Sequence, residues 1–475
     1  MMPRLWAQHR CPCARPFSNR NSPKGSTAQD NGHQPVAKSQ YPLVMASVSD
    51  KAFSSHSRDA RSFALRYGGA HFGKSLFWHG SEMLYAFFLT EIAGASGRDM
   101  AITVAGGLIA SAAIDIWLGR WLNARHMSLR HAARLQWIGA IASVATVALI
   151  AMTGMLPPSL RLAYGLASGL MFRFAYGLYD ISQNSMLALA TNSASERAGL
   201  SALRICASGC ASLVIAGGTT FALMLAVGRE QMGLAGLTVF AALCATGSSL
   251  LLSRISVPSP ARATIAPAEK ACNAKVKLWP LYMAMLLTSL AISSFVRLEP
   301  YYLASLPTRT ASGSTFIMAT AVGLILSQPL WYRAVHRYGS DCTLLIAAIL
   351  LLCVFCAFYG IFAFAPTMAP VIALLFGLAN GGVGMTIWTG FSQRVARSGQ
   401  EVRAFGQLTA FSKIGLALAA GLVGGWLSSE RSADSWATSL AIPMALIPAM
   451  SVILTIICLL FLIAVPRRSD CISTA

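Results

Sequence analysis

Apolar runs long enough to cross a bilayer recur from about residue 75 to about residue 465, each broken by a few charged residues, prolines or glycines. A helical crossing needs about 20 predominantly apolar residues, and only helices or closed barrels satisfy their backbone groups in hydrocarbon. Barrel strands are about 10 residues long with alternating hydrophobicity. The runs here are longer and continuous, so the crossing element is a helix. Composition agrees, with 55% hydrophobic and 11% charged residues against roughly 25% charged in soluble domains. The expectation is an all-α polytopic membrane protein with twelve transmembrane helices, at roughly 74–94, 101–122, 132–154, 159–186, 203–227, 233–254, 277–298, 312–333, 341–365, 368–391, 405–428 and 440–465.

Loop charge orients the chain, because loops rich in Lys and Arg stay cytoplasmic. One set of loops holds Arg120, Arg125, Arg130, Arg134, Arg197, Arg254, Lys270, Lys275, Arg333, Arg337, Arg394 and Arg403, and the other holds only Arg98, Arg161, Arg229, Arg309 and Arg431. Both termini are therefore expected in the cytoplasm, with the protein multi-pass in a plasma (inner) membrane. The net charge of +20 is accounted for by basic loops against anionic lipid headgroups, which removes the case for a nucleic-acid partner. Cys353 and Cys356 form a C-x-x-C inside an apolar run with no His nearby, which supports neither a metal site nor a redox role. No G-x-S-x-G, H-E-x-x-H or phosphate loop is present, so an enzyme is not expected.

Residues 1–70 are polar and Ser/Arg-rich and lack the apolar core of a signal peptide. Three readings stand: a disordered cytoplasmic tail, a transit peptide, or a true start at Met45. The expected organisation continues with a six-helix bundle over 71–255, a cytoplasmic linker rich in Pro, Ala and Lys over 256–276, a second six-helix bundle over 277–466, and a short cytoplasmic tail over 467–475.

Ionisable side chains inside a bilayer are costly and mark function. In FGKSLFWHGSEMLYAFFLTEIAG, Lys74 opens the first span, and Ser75, His79 and Glu82 at i, i+4 and i+7 share a face. Asp115 lies within the second span; it either braces the following turn through Arg120 or faces Glu82 as a cation or proton ligand. Asp180 and Arg204 occupy the fourth and fifth spans as a charged pair, whereas Arg297 and Glu299 are read as interfacial anchors. Lys413 begins the eleventh span, where snorkelling and function are both open. A weak repeat sets Asp115 and Arg120 against Gln328 and Arg333, and Arg204 against Lys413. Repeats of this kind place substrate at their mutual interface near the midplane.

The segments FGKS, LTEIAG, DIWLGRWLNAR, YDISQNSMLALATNSASERAGLSALR and GQEVRAFGQLTAFSKIG together resemble the glycoside-pentoside-hexuronide cation symporters, the melibiose-permease branch of the major facilitator superfamily, over residues 72–465. The most specific part is Tyr176, Asp180 and Ile181 followed by Glu196, Arg197, Leu200 and Arg204. The resemblance implies a twelve-helix fold in two halves that binds sugar centrally and carries it with Na⁺, Li⁺ or H⁺. It puts sugar binding and the cation gate on Asp180 and Arg204, and the conserved charges of helices eleven and two on Lys413 and Asp115. The chain also departs from the family: Ser75 and Ser111 replace two acids, Asn184 replaces the aromatic that stacks on sugar, and Ser182 replaces a proline.

The expected function is secondary active transport of a small polar solute by cation symport. Tyr176, Asp180, Asn184, Arg204, Ser75 and His79 are expected to contact the solute, Glu82, Asp115 and Ser111 to couple the cation, and Lys413 to balance charge. One acid remains in the second span, which favours H⁺ over Na⁺, since Na⁺ prefers several oxygen ligands. Apart from the coupling ion no cofactor is expected, and the protein is expected to act as a monomer. The alternatives are an exporter of the same fold or a transport-inactive receptor.

Overall fold

The computed structural model describes residues 61–80, 85, 89, 94, 97–223, 230–254, 278–305, 313–364, 368–396, 398–429 and 436–464. Glu82, the linker and the C-terminal tail lie outside them. The helices are α1 (61–80), α2 (Gly97–Ala124), α3 (Leu129–Ala151), α4 (Pro158–Leu189), α5 (Ala194–Leu223), α6 (Glu230–Ser253), α7 (Trp279–Ser305), α8 (Gly313–Leu326), α9 (Gln328–Phe364), α10 (Ala369–Val395), α11 (Glu401–Ser429) and α12 (Trp436–Ala464). Helix α1 already runs at residue 61, upstream of the apolar run that marks it in the sequence.

Twelve helices and twelve crossings are counted differently. Backbone hydrogen bonds from Ser327 to Gly323 and from Trp331 to Ser327 carry α8 into the start of α9, so these form one crossing. Helix α9 then breaks at Gly339, whose φ of 79° and ψ of 166° lie where only glycine is comfortable. The remainder of α9 is the ninth crossing. Local chemistry sets several of the other ends. Pro158 stands at the first position of α4, where its missing N–H costs nothing. Ser128 caps α3 by accepting from His131 N at 3.3 Å, and Ser193 Oγ accepts from Glu196 N at 3.1 Å at the start of α5.

Among the described residues nine helices are long and apolar enough to cross a membrane, and α1 and α4 are not among them. Their polar residues point inward: α4 buries Asp180, Ser182, Gln183, Asn184 and Ser185, and α1 buries His71, Lys74 and Ser75. Leu, Ile and Phe side chains are exposed instead, including Leu243, Leu326 and Phe461, as expected where the outer surface meets lipid rather than water.

Helices α2–α6 pack on one another, with α4 against α2 and α3 and α6 against α3 and α5. In the second half α7 packs against α11 and α12, and α10 against α8 and α9. The halves meet chiefly along α2 with α11 and α5 with α8, while α5 also touches α9 and α10 and α4 touches α11. At the end carrying the basic turns the halves are in contact. Ser195 Oγ lies 3.2 Å from Tyr332 Oη, and Asn123 Oδ1 accepts from Arg403 N at 3.5 Å.

The tightest of these contacts is glycine on glycine. A Cβ placed on Gly406 would lie 2.6 Å from the Asp115 carbonyl oxygen and 2.9 Å from Gly119 Cα. Gly406→Val therefore wedges α2 from α11, at a cost of about 1–3 kcal/mol for overpacking. We expect a lower thermal midpoint in detergent and faster maleimide labelling of a cysteine placed at Asn123. Unchanged values of both would show that the helices do not depend on this approach.

Candidate functional site

Two buried polar clusters lie where the halves meet. The first is built on α4, whose Asp180 and Asn184, four residues apart, share a face. Lys74 Nζ from α1 donates to Asp180 Oδ1 at 2.7 Å and to Asn184 Oδ1 at 2.7 Å. Arg204 Nη1 from α5 donates to the same Asn184 Oδ1 at 2.6 Å. Two cationic donors on one atom fix the amide orientation: it is the oxygen that faces them, and Nδ2 has no hydrogen-bond partner. The Arg204 guanidinium lies flat on Trp388 of α10, 3.5 Å from the ring centroid, which is close range for a cation–π contact. Arg204 thus bridges the halves.

The second cluster is the ion pair between Lys413 Nζ of α11 and Asp115 Oδ2 of α2, 2.7 Å apart with side chains 3% and 0% exposed. A Cβ on Gly177 of α4 would come within 3.1 Å of Asp115 Oδ1; the absence of a side chain there lets α4 close over the carboxylate. Thr409 of α11 bonds its own helix, to Phe405 O and Gly406 O. Asp115 does not turn to Arg120, which is exposed: five residues along a helix is a rotation of about 140°.

The other expected residues fall at different distances from this centre. Asp180 and Arg204 are joined through Asn184, and the ion-pair partner of Asp180 is Lys74. Ser75 and Ser111 are buried, beside Lys74 in sequence and one turn before Asp115, respectively. His79 sits apart, with Nε2 3.2 Å from Ser208 Oγ of α5. The Tyr176 ring stacks on Trp78 and Phe172 at centroid distances of 5.7 and 5.8 Å, inside an apolar cluster with Phe77 and Tyr179. Arg297 and Glu299 are two residues apart and do not face each other. Arg297 Nε donates to Ser293 Oγ at 3.1 Å, and Glu299 is buried with Oε1 unpartnered.

Lys74 and Trp388 belong to the site without having been assigned to it from sequence. Lys74 was visible as a charge but stood at the edge of its apolar run. With α1 already helical at residue 61 it lies well inside the helix, and it is 2% exposed. His71, one turn earlier, holds its Nδ1 3.1 Å from Gln183 Oε1 and completes the α1–α4 contact.

A bundle of helices that is apolar outside and charged along the seam between its halves is a polytopic solute transporter. The sequence pattern described as "MFS/sugar transport protein" matches residues 66–466, and the chain belongs to that family, within the major facilitator superfamily. No curated protein sequence matches it. Among solved structures it is similar to the proton:xylose symporter XylE bound to 6-bromo-6-deoxy-D-glucose, at 15% identity and a TM-score of 0.62 over 86% of this chain and 96% of that one. FucP in the outward conformation gives 15% identity and 0.61 over 84% and 99%. A bacterial homologue of the iron transporter ferroportin, outward-facing with soaked iron, gives 14% and 0.62 over 85% and 98%. At such identities the likeness is one of fold.

Removing one member of a buried ion pair strands the other at a cost of about 3–5 kcal/mol, whereas removing both is far milder. Asp115→Asn and Lys413→Gln should each lower the thermal midpoint in detergent, and the double variant should recover much of the loss. Losses that simply add would show that the two charges do not interact.

Proposed function

We propose that this protein is a secondary active transporter that carries a small polar solute, a sugar, glycoside or related organic solute, by proton-coupled symport with alternating access. The observation that carries the reading is the chain of charged and amide groups from Lys74 through Asp180, Asn184 and Arg204 to Trp388. It is buried, and it joins α1, α4 and α5 of one half to α10 of the other. Such groups in hydrocarbon mark a solute or ion path, and the seam between halves is where substrate lies in duplicated transporters. The match to a family described as sugar transport proteins supports the same class of cargo.

In this reading the basic end is cytoplasmic, as are both termini, and the protein works as a monomer in a plasma (inner) membrane. The contacts between α2 and α11 and between α5 and α9 then close the cytoplasmic side. Inward opening requires Lys413 to leave Asp115. Protonation of Asp115 removes the attraction that holds them, so a proton entering with solute frees the halves to rock. Solute and proton are linked because each changes the same equilibrium between closed and open ends.

The test uses purified protein in proteoliposomes, with a solute chosen from a thermal-shift panel of sugars, uronates, amino acids and organic acids. An inward proton gradient should drive accumulation, and a sodium gradient at fixed pH should not. Asp180→Asn should insert normally and lose gradient-driven uptake. Sodium-driven uptake would overturn the proton assignment, and full activity of Asp180→Asn would overturn the site.

A further inference from the structure

Among the described residues, Arg204 is the buried cation of the central site that no carboxylate pairs with. Lys74 is matched by Asp180 at 2.7 Å and Lys413 by Asp115 at 2.7 Å. Arg204, 7% exposed, meets three neutral groups, the Asn184 oxygen, the Tyr67 hydroxyl and the face of Trp388, and among the described residues it forms no ion pair. Its charge is permanent, and its five donors are arranged as a fork. One of the described hydrogen bonds uses Nη1. Beside it the Asn184 Nδ2 donor is buried and unpartnered, and Asn184 is 0% exposed. Among the described residues the site is therefore rich in donors, and its three cations, Lys74, Arg204 and Lys413, face two carboxylates, Asp115 and Asp180. A buried charge without a countercharge is costly, and an anion with two acceptor oxygens is the chemistry that complements these donors.

We propose that Arg204 and the Asn184 amide form the receptor for the carboxylate of a monoanionic organic solute. The proposal rests on the transporter reading above and narrows it: the cargo is an organic acid or an acid sugar rather than a neutral one. The carboxylate takes the free edge of the guanidinium in the two-point geometry that arginine favours and accepts from Nδ2. Trp388 backs the guanidinium from the opposite half, so the anion binds at the contact that spans the seam.

The test is thermal unfolding of the full-length protein in detergent at fixed pH and chloride, with matched pairs that differ in charge: D-glucuronate and D-glucose, L-lactate and L-lactamide, benzoate and benzamide. At least one acid should raise the midpoint while its neutral partner leaves it unchanged. Arg204→Lys keeps the charge but loses the fork and should weaken acid binding about 10- to 100-fold. Asn184→Asp supplies the missing carboxylate within the protein; it should raise the midpoint of the ligand-free protein and abolish the response to acids, a pair of changes that a merely structural Asn184 would not give. The proposal is overturned if no acid stabilises the protein, if a neutral member does as well as its acid, or if Asn184→Asp still responds to acids. Counterflow of the same compounds in proteoliposomes separates the two readings. An acid that binds without exchanging leaves the receptor standing and sinks transport, whereas a neutral solute that binds and exchanges does the reverse.

Discussion

A charge buried in hydrocarbon must be met by an opposite charge or by an oriented dipole, and in this protein that requirement ties together helices remote in sequence. Asp180 draws Lys74 across from α1, Asn184 draws Arg204 from α5, Arg204 rests on Trp388 of α10, and Asp115 draws Lys413 from α11. Apolar packing between helices has little direction to it when the solvent is itself apolar. These few polar contacts are what specify which helix faces which. Asn184 carries the most: its single oxygen accepts from two cations on two different helices.

At the basic end, the seam between the halves is chemically unlike the interior of either half. Inside the second half Phe295 packs against Phe316, Phe355, Phe358 and Phe376, a close-packed arrangement that favours movement as a block. Across the seam the contacts at the basic end are an ion pair, two glycines, a hydroxyl pair and a stacked guanidinium. Contacts of that kind are made and broken without exposing a large apolar surface. Rigid halves joined by a separable seam are what alternating access demands, and the site lies on the seam.

Much of this fold was legible in the sequence because helix length and apolarity are local properties. The crossings emerge from runs of about 20 residues, and Asp115, Asp180, Arg204 and Lys413 are conspicuous because charge is scarce around them. Pairing is not local. Asp115 had Arg120 as its nearest candidate in the chain, and its partner in the structure is Lys413 on the eleventh helix. Hydropathy also misplaces the start of a helix when its first turns are polar, which is how Lys74 came to look like a terminal residue. Trp388 left no trace at all, since a tryptophan in an apolar helix is indistinguishable from packing until a guanidinium is found on its face.

The modest apolarity of α4 has a consequence for how the chain reaches the membrane. A segment with Asp180 and Arg173 near its middle gains too little from hydrocarbon to settle there alone, since each such charge opposes insertion by about 2.5–3.5 kcal/mol. Its carboxylate becomes tolerable once Lys74 of α1, already synthesised, stands against it. The ion pair that shapes the site therefore also lets α1 and α4 lie in hydrocarbon together at a smaller cost than either charge would meet alone.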